Sequence, residues 1–493
     1  MNFLKRFFSR TFIFRREYYF FACVVLLFLF YTCKIWVVGD GIGYYAWLRS
    51  FVFDHDLHFV NEFTTFNYTH SAVPISSTPY ANMFSVGPAL CWFPFYGIVY
   101  LIACVRGVFI PSQQLSGYEF PFLLTVSSVS LLAGFIGVLC CFELLFFAVG
   151  KRFALLATSL ILLSTPLLQY LFDEMNYAHV FSFLFSSLFL LFWYRFSKQQ
   201  STTKYFFQGC LIGVLCLMRW QQIIFLVFPL FELLSNNRQH LKDKLKKILI
   251  CFVGVITFFL PQMVAWKFTF GKWLLIPQGE GFVSLSHAFS LQNNQLLLFL
   301  FSSFHGLFYW HPIFIVSFVG LVLYSFKEPK YGLPLLVVAA LEVLLLSSVV
   351  DWWAGSSFGA RRIVDSLPLF AVGLGYFFQH YFSRKQYLFP FVVCVGAFFS
   401  LWNCILWLQY LTVLSHDGEL NIFQMFRNCR YLHREFLDVI RRSSFFSFII
   451  EGAFDKAVFL GLVYFVIVVF GLFFSTILQT WFVSMSNYKG KKL

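Results

Sequence analysis

Charge is scarce in this sequence. Asp, Glu, Lys and Arg together make up 12% of 493 residues, against 59% hydrophobic residues. A soluble domain carries about 25% charged residues, so this chain cannot cover itself with a polar surface. Most of it must be solvated by lipid, in keeping with a mean hydropathy of +0.75. The 12 cysteines form no Cys-x-x-Cys pair and no His/Cys cluster, which leaves no redox or zinc signature. Those such as Cys140, Cys141, Cys210 and Cys216 lie inside apolar runs and read as small hydrophobes. Acids are scarcer than bases, 22 against 36, for a net charge of +14. The excess does not indicate nucleic acid, because the bases stand in short clusters at the ends of apolar runs. That is the positive-inside pattern of membrane proteins.

What the chain does have is a series of apolar runs. A span needs about 20 mostly apolar residues. Candidates are 19–38, 84–105, 120–149, 153–172, 178–195, 205–221, 222–236, 247–268, 311–326, 331–349, 365–382, 387–412 and 456–482. No internal repeat is evident. Residues 1–18 form a basic tail with Lys5, Arg6, Arg10, Arg15 and Arg16, and no small-residue cleavage site follows. The first run therefore reads as an uncleaved span with its N-terminus in the cytoplasm. The clusters Lys151–Arg152, Arg195–Lys204, Arg238–Lys247, Lys327–Lys330, Arg384–Lys385 and Lys489–Lys492 all fall on that same side under two conditions. Residues 84–105 must not cross, and 205–236 must cross twice. The segment 84–105, with Pro88, Pro94 and Gly97, is thus expected to be re-entrant or interfacial, with a broken helix.

The fold class expected is all-α: a polytopic transmembrane helical protein of about 12 spans (11–13). A first outer loop covers 39–119, a transmembrane domain 19–412, and an outer amphipathic segment 413–455. The last span and a basic cytoplasmic tail fill 456–493. The outer segments collect Asp40, Asp54, Asp56, Glu62, Asp173, Glu174, Glu280, His305, Asp351, Arg361 and Arg362. Any chemistry belongs on that side.

Asp40 follows the first span in VVGDGIGYYAWLRSF, flanked by glycines that let the backbone turn and approach a ligand. From Tyr44 to Phe53 the pattern suits a short helix lying on the membrane surface. A carboxylate at the mouth of a span can act as a general base; it can equally be a solvated acid at a helix end. Asp173, Glu174 and His179 share a very short loop, DEMNYAHVF, between two spans. Arg219 sits where 205–236 must turn and needs an anionic partner, either a carboxylate or a ligand phosphate. His305 and His311 are six residues apart, off one helical face, which argues against a metal pair. In DWWAGSSFGARRIVDSLPLF, Asp351, Arg361 and Arg362 surround a Gly/Ser loop. Both arginines lie outside, against the positive-inside rule, and guanidinium donors there suit a phosphate.

The order of these segments, with SVGPALCWFPFY, GVLCLMRWQ and SSFHGLFYWHP between them, resembles bacterial members of the C-type glycosyltransferase superfamily. The likeness is to protein-mannosyltransferase-like and aminoarabinose-transferase-like enzymes and runs over most of 20–380. It implies an inverting transferase in the inner membrane that takes a sugar from a polyprenyl-phosphate donor on the periplasmic face. The acceptor, whether protein, lipid or glycan, is not specified. By position Asp40 would be the base, and Glu174 or Asp173 the second acid, which in some relatives meets a divalent cation. The sequence itself requires no metal. Arg219, Arg361 and Arg362 would hold the donor phosphate, with Tyr44, His179, His305 and Asp351 as further binding residues. Asp40 stands alone where many relatives carry two adjacent acids. The rival reading is a multi-span transporter or a flippase for lipid-linked sugars. Its ionisable groups would lie near the midplane, where Glu342 is the clearest candidate.

Overall fold

The computed structural model describes residues 15–68, 82–109, 115–235, 240–275, 294–414 and 418–488. Lys5, Arg6, Arg10, Arg238, Glu280 and the tail 489–492 lie outside them. The regular structure of the described residues is all helix, with no β-strand. Helix α1 is Arg16–Tyr31, α2 Asp40–Arg49, α3 Val60–Thr65, α4 Gly87–Phe109, α5 Phe120–Val149, α6 Lys151–Leu163 and α7 Leu167–Phe172. There follow α8 Ala178–Arg195, α9 Thr202–Met218, α10 Val227–Leu234, α11 Leu241–Phe270, α12 Leu296–Phe301, α13 Leu307–Trp310 and α14 Ile313–Lys327. The chain ends with α15 Pro329–Ser347, α16 Leu367–Phe382, α17 Phe389–Thr412, α18 Ile422–Asn428, α19 Leu432–Arg442, α20 Ser444–Ile450 and α21 Phe454–Tyr488.

Seven of these helices are long and apolar enough to cross a bilayer: α4, α5, α8, α11, α15, α17 and α21. Helices α9 and α14, and the 3₁₀ turn Trp220–Leu226 continued by α10, are shorter and also apolar. The chain is an integral membrane protein. At its centre α5 and α8 are largely enclosed by protein, whereas α11 exposes most of its surface to lipid. Glycines set the close pairings. A Cβ on Gly209 or Gly213 would strike the α11 backbone, and one on Gly320 or Gly373 would strike the facing helix of the α14–α16 pair. Without a hydrophobic drive between helices in lipid, such close backbone approach is what holds them together.

The two ends of the bundle differ in charge. At one end Arg15 pairs with Glu143 at 2.9 Å, Lys151 with Glu17, and Lys204 with Glu232 at 2.7 Å. Arg195 lies over the Phe147 ring there. This is the basic end that the positive-inside rule assigns to the cytoplasm. At the other end are Asp40, Glu174, Asp365 and their arginines. The turn expected at Arg219 is present, between α9 and the 3₁₀ segment Trp220–Leu226.

Residues 84–105 differ from expectation in one respect: α4 is a single unbroken helix with Pro94 inside it. Its side chains explain why. Trp92 Nε1 donates to Ser130 Oγ at 2.9 Å, and the Tyr96 hydroxyl meets that of Tyr45 at 2.8 Å. These anchors hold the helix on either side of a proline that faces outward. Contacts also give its direction. Ser85 and Val86, just before α4, bond Met218 and Gln262; Trp92 then meets Ser130 and Phe181, and Tyr96 meets Phe122 at the start of α5. From Trp92 to Tyr96 the helix runs toward the outer end of α5. In a cysteine-free background, Ser356→Cys and Arg106→Cys should therefore react with an impermeant thiol reagent from outside, and Lys198→Cys only from inside. Labelling of position 106 from the cytoplasmic side alone would mean that α4 crosses.

Candidate active site

Asp40 begins α2 directly after Gly39, whose φ of +52° lies in the left-handed region. A side chain on Gly39 would also collide with the Tyr177 hydroxyl, and one on Gly43 with the Phe84 ring. The Gly-Asp-Gly-x-Gly sequence thus lets α2 lie hard against the 174–177 loop. There the Asp40 carboxylate pairs with Arg361 Nη2 at 2.9 Å, both side chains being largely buried. The Arg361 guanidinium stands 5.5 Å from the Tyr177 ring centre. Carboxylate and aromatic oxygens around it push Arg361 well above its ordinary value despite the desolvation that opposes this. It is a permanent cation.

A second charged group lies beside the first. Asp365, with no solvent exposure, pairs through one oxygen with Arg219 Nε at 2.7 Å and through the other with His179 Nδ1 at 2.9 Å. Arg219 Nη1 is 3.5 Å from His179 Nε2. A guanidinium can only donate, so His179 Nε2 accepts and Nδ1 carries the proton to Asp365. Gln222 Nε2 donates to Glu342 Oε1 at 3.2 Å behind this group. Tyr44, 5% exposed, is within electrostatic reach of both groups. Burial pushes its hydroxyl up, so it stays protonated, and the nearby Arg219 opposes the shift only in part.

Glu174 occupies the loop below Arg361, with one carboxyl oxygen buried and without a hydrogen-bond partner. Burial, and next the charge of Asp173, push it up to about 8, against the pull of Arg361. At neutral pH this side chain is an acid that can donate. A folded value raised above the unfolded one gives stability that is present in full below about pH 4.5 and is lost as pH rises through about 8. Thermal unfolding of the wild type should thus occur at lower temperature at pH 9 than at pH 6. Glu174→Gln, which keeps the neutral shape, should flatten that slope; an unchanged slope refutes the assignment.

The remaining predicted residues are not gathered here. Asp173 turns to Lys34 at 3.1 Å and to Gln169 Nε2 at 3.0 Å, and its carbonyl accepts from Trp36 Nε1. It ties α1 to the loop, and its charge is already matched. Arg362 pairs with Asp351 at 2.7 Å on the outer rim, where Asp351 is half exposed. His305 has positive φ and stacks on Trp310 with ring centres 5.2 Å apart, in the aromatic wall. Asp365 and Gln222, which complete the second group, were not singled out in the sequence. Asp365 carries a signal that could have found it: an acid at the mouth of an apolar run, as Asp40 is.

Among the described residues no group of three or more His, Cys, Asp and Glu side chains gathers to hold a metal ion. Two of the acids there are already paired with cations. Arg361 already occupies the Asp40 carboxylate, and Lys34 occupies Asp173.

The family model for dolichyl-phosphate-mannose-protein mannosyltransferases matches residues 123–266, from α5 into α11. No curated protein sequence matches the chain. Among solved structures, ArnT from Cupriavidus metallidurans bound to undecaprenyl phosphate aligns with a TM-score of 0.45 and 13% identity. That alignment covers 93% of this chain and 77% of ArnT. The oligosaccharyltransferase AglB from Archaeoglobus fulgidus, in complex with an inhibitory peptide and a dolichol-phosphate, aligns with a TM-score of 0.45 and 12% identity. It is covered at 88% of this chain and 55% of its own, so the chain spans about half the length of AglB. The resemblance to membrane glycosyltransferases thus rests on a family model as well as on the order of motifs.

Proposed function

We propose that this chain is an inverting glycosyltransferase that moves a sugar from a polyprenyl-phosphate donor to an acceptor hydroxyl on the extracytoplasmic face. The observation that carries the reading is the Asp40–Arg361 pair, seated against neutral Glu174 and beside Arg219. A base bound to a guanidinium is a poor base. A donor phosphate competes for the same guanidinium, and when it takes Arg361 the Asp40 carboxylate is released. The acceptor oxygen then attacks the anomeric carbon from the face opposite the phosphate, and its proton passes to Asp40. The carbon–oxygen bond to the phosphate breaks, and the electron pair leaves on the phosphate. Arg361 and Arg219 meet that growing charge without needing to move far. Glu174, uncharged, can donate to a sugar or acceptor oxygen without repelling the phosphate.

A lipid tail on the donor accounts for embedding such chemistry in a bilayer, and the inner membrane of a bacterium with a periplasmic site is the matching location. The transporter reading loses its main support. Glu342, the mid-span acid that suggested it, accepts from Gln222 and adjoins the Asp365 and Arg219 group rather than standing alone in a pathway. The test is a transfer assay in proteoliposomes with a radiolabelled polyprenyl-phosphate sugar and membrane-extract acceptors. Release of polyprenyl phosphate that depends on both the chain and an acceptor is expected. Movement of the intact labelled lipid between leaflets, with no transfer, would favour a flippase.

A further inference from the structure

The segment after α17 holds arginines that the active site does not use. It lies across the acidic end of the bundle. Gln409 Nε2 donates to the Met425 carbonyl at 3.0 Å, and Trp402 packs on Phe426. Further along, Ser443 Oγ donates to the Phe30 carbonyl at 3.1 Å, and Ser444 joins the backbone of Cys33 and Ile35, at the outer end of α1. These bonds set α18–α20 level with the end of the first span, between the exit of α17 and the entry of α21. That is the depth of the headgroups.

Helix α19 is sorted for this depth. Glu435 and Val439 face the protein and are buried. Arg434 and Arg441, two turns apart on one face, are exposed; Leu437 (47% exposed) stands between them on that face, and Phe436 (50% exposed) lies round the helix toward the buried side. Arg427, Arg430 and Arg442 are exposed as well, and Asp438 of α19, half-exposed, lies 3.9 Å from Arg441. A helix with a basic polar face and aromatic and aliphatic side chains elsewhere lies in the membrane interface and is drawn to anionic lipid. Arginines on the outer side oppose the positive-inside rule, and from Ile422 to Arg442 five of them stand against two acids, Glu435 and Asp438.

We infer that α18–α19 form a docking surface for anionic phospholipid headgroups, with Arg430, Arg434 and Arg441 meeting their phosphates while Phe436 and Leu437 enter the acyl boundary. This surface is separate from the proposed transferase chemistry and stands or falls without it. The test uses the full chain in bilayers of phosphatidylcholine with spin-labelled phosphatidylglycerol or spin-labelled phosphatidylcholine as the probe. Wild type should enrich phosphatidylglycerol in its motionally restricted lipid by about twofold or more over phosphatidylcholine. The combined variant Arg430→Gln, Arg434→Gln, Arg441→Gln should lower that ratio, with thermal unfolding unchanged. The corresponding lysine variant should retain it, and 0.5 M salt should weaken it as screening shortens to about 4 Å. An absent preference in wild type, or an equal ratio in the glutamine variant, overturns the proposal. So does selective binding of a soluble acidic peptide to the wild type in place of the lipid.

Discussion

Asp40→Asn is expected to lower transfer by about 10²–10⁴-fold, the range that a positioned general base supplies, while leaving the protein folded and inserted. The substitution keeps the shape of the side chain and removes the proton acceptor. It also removes the anion paired with Arg361 at 2.9 Å. Arg361 then meets the donor phosphate without competition, so donor binding should be kept or tightened while turnover falls. That split separates a base from a structural residue, whose loss would weaken both. Photoreactive polyprenyl phosphate measures the first quantity and the transfer assay the second. Activity within about tenfold of wild type would sink the role given to Asp40. Arg361→Gln should do the opposite to binding and lose donor affinity outright.

The largest effect on stability should come from Asp365→Ala. Asp365 holds Arg219 and His179 together and is itself fully buried. Removing it leaves a guanidinium that is only 12% exposed without its anion. Breaking such a pair from one side costs about 3–5 kcal/mol in soluble proteins. Thermal unfolding in detergent should therefore move down by several degrees. The double variant Asp365→Ala with Arg219→Gln should recover part of the loss, because no charge is then left unpaired. A double variant whose loss equals or exceeds the sum of the two single losses would show that Asp365 does not act through Arg219.

Sequence reasoning reached some of this and missed the rest for physical reasons. The charge asymmetry was legible because lipid and water sort residues by charge wherever they stand in the chain. Asp40 and Arg361 were legible as an acid at a span mouth and an arginine on the wrong side. Their direct pairing was not, since contacts between residues hundreds apart leave no local trace. The same holds for His179 and Asp365, separated by 186 positions and 2.9 Å apart. Asp173 and Glu174 are neighbours, and the sequence cannot tell which one turns inward. Lys34 decides it by drawing Asp173 toward α1. Pro94 weakens a helix locally and makes α4 read as broken, whereas Trp92 and Tyr96 hold it from outside itself.

The Asp40–Arg361 pair has a kinetic meaning as well. While the carboxylate is occupied, an acceptor hydroxyl finds no partner there, so the acceptor should bind weakly to the free protein and well only after a phosphate has arrived. The order of addition is then written into a single ion pair. It follows that the spent carrier, polyprenyl phosphate without its sugar, should also open the site. Together with an acceptor it should form a dead-end complex, and inhibition by that product should deepen as acceptor concentration rises.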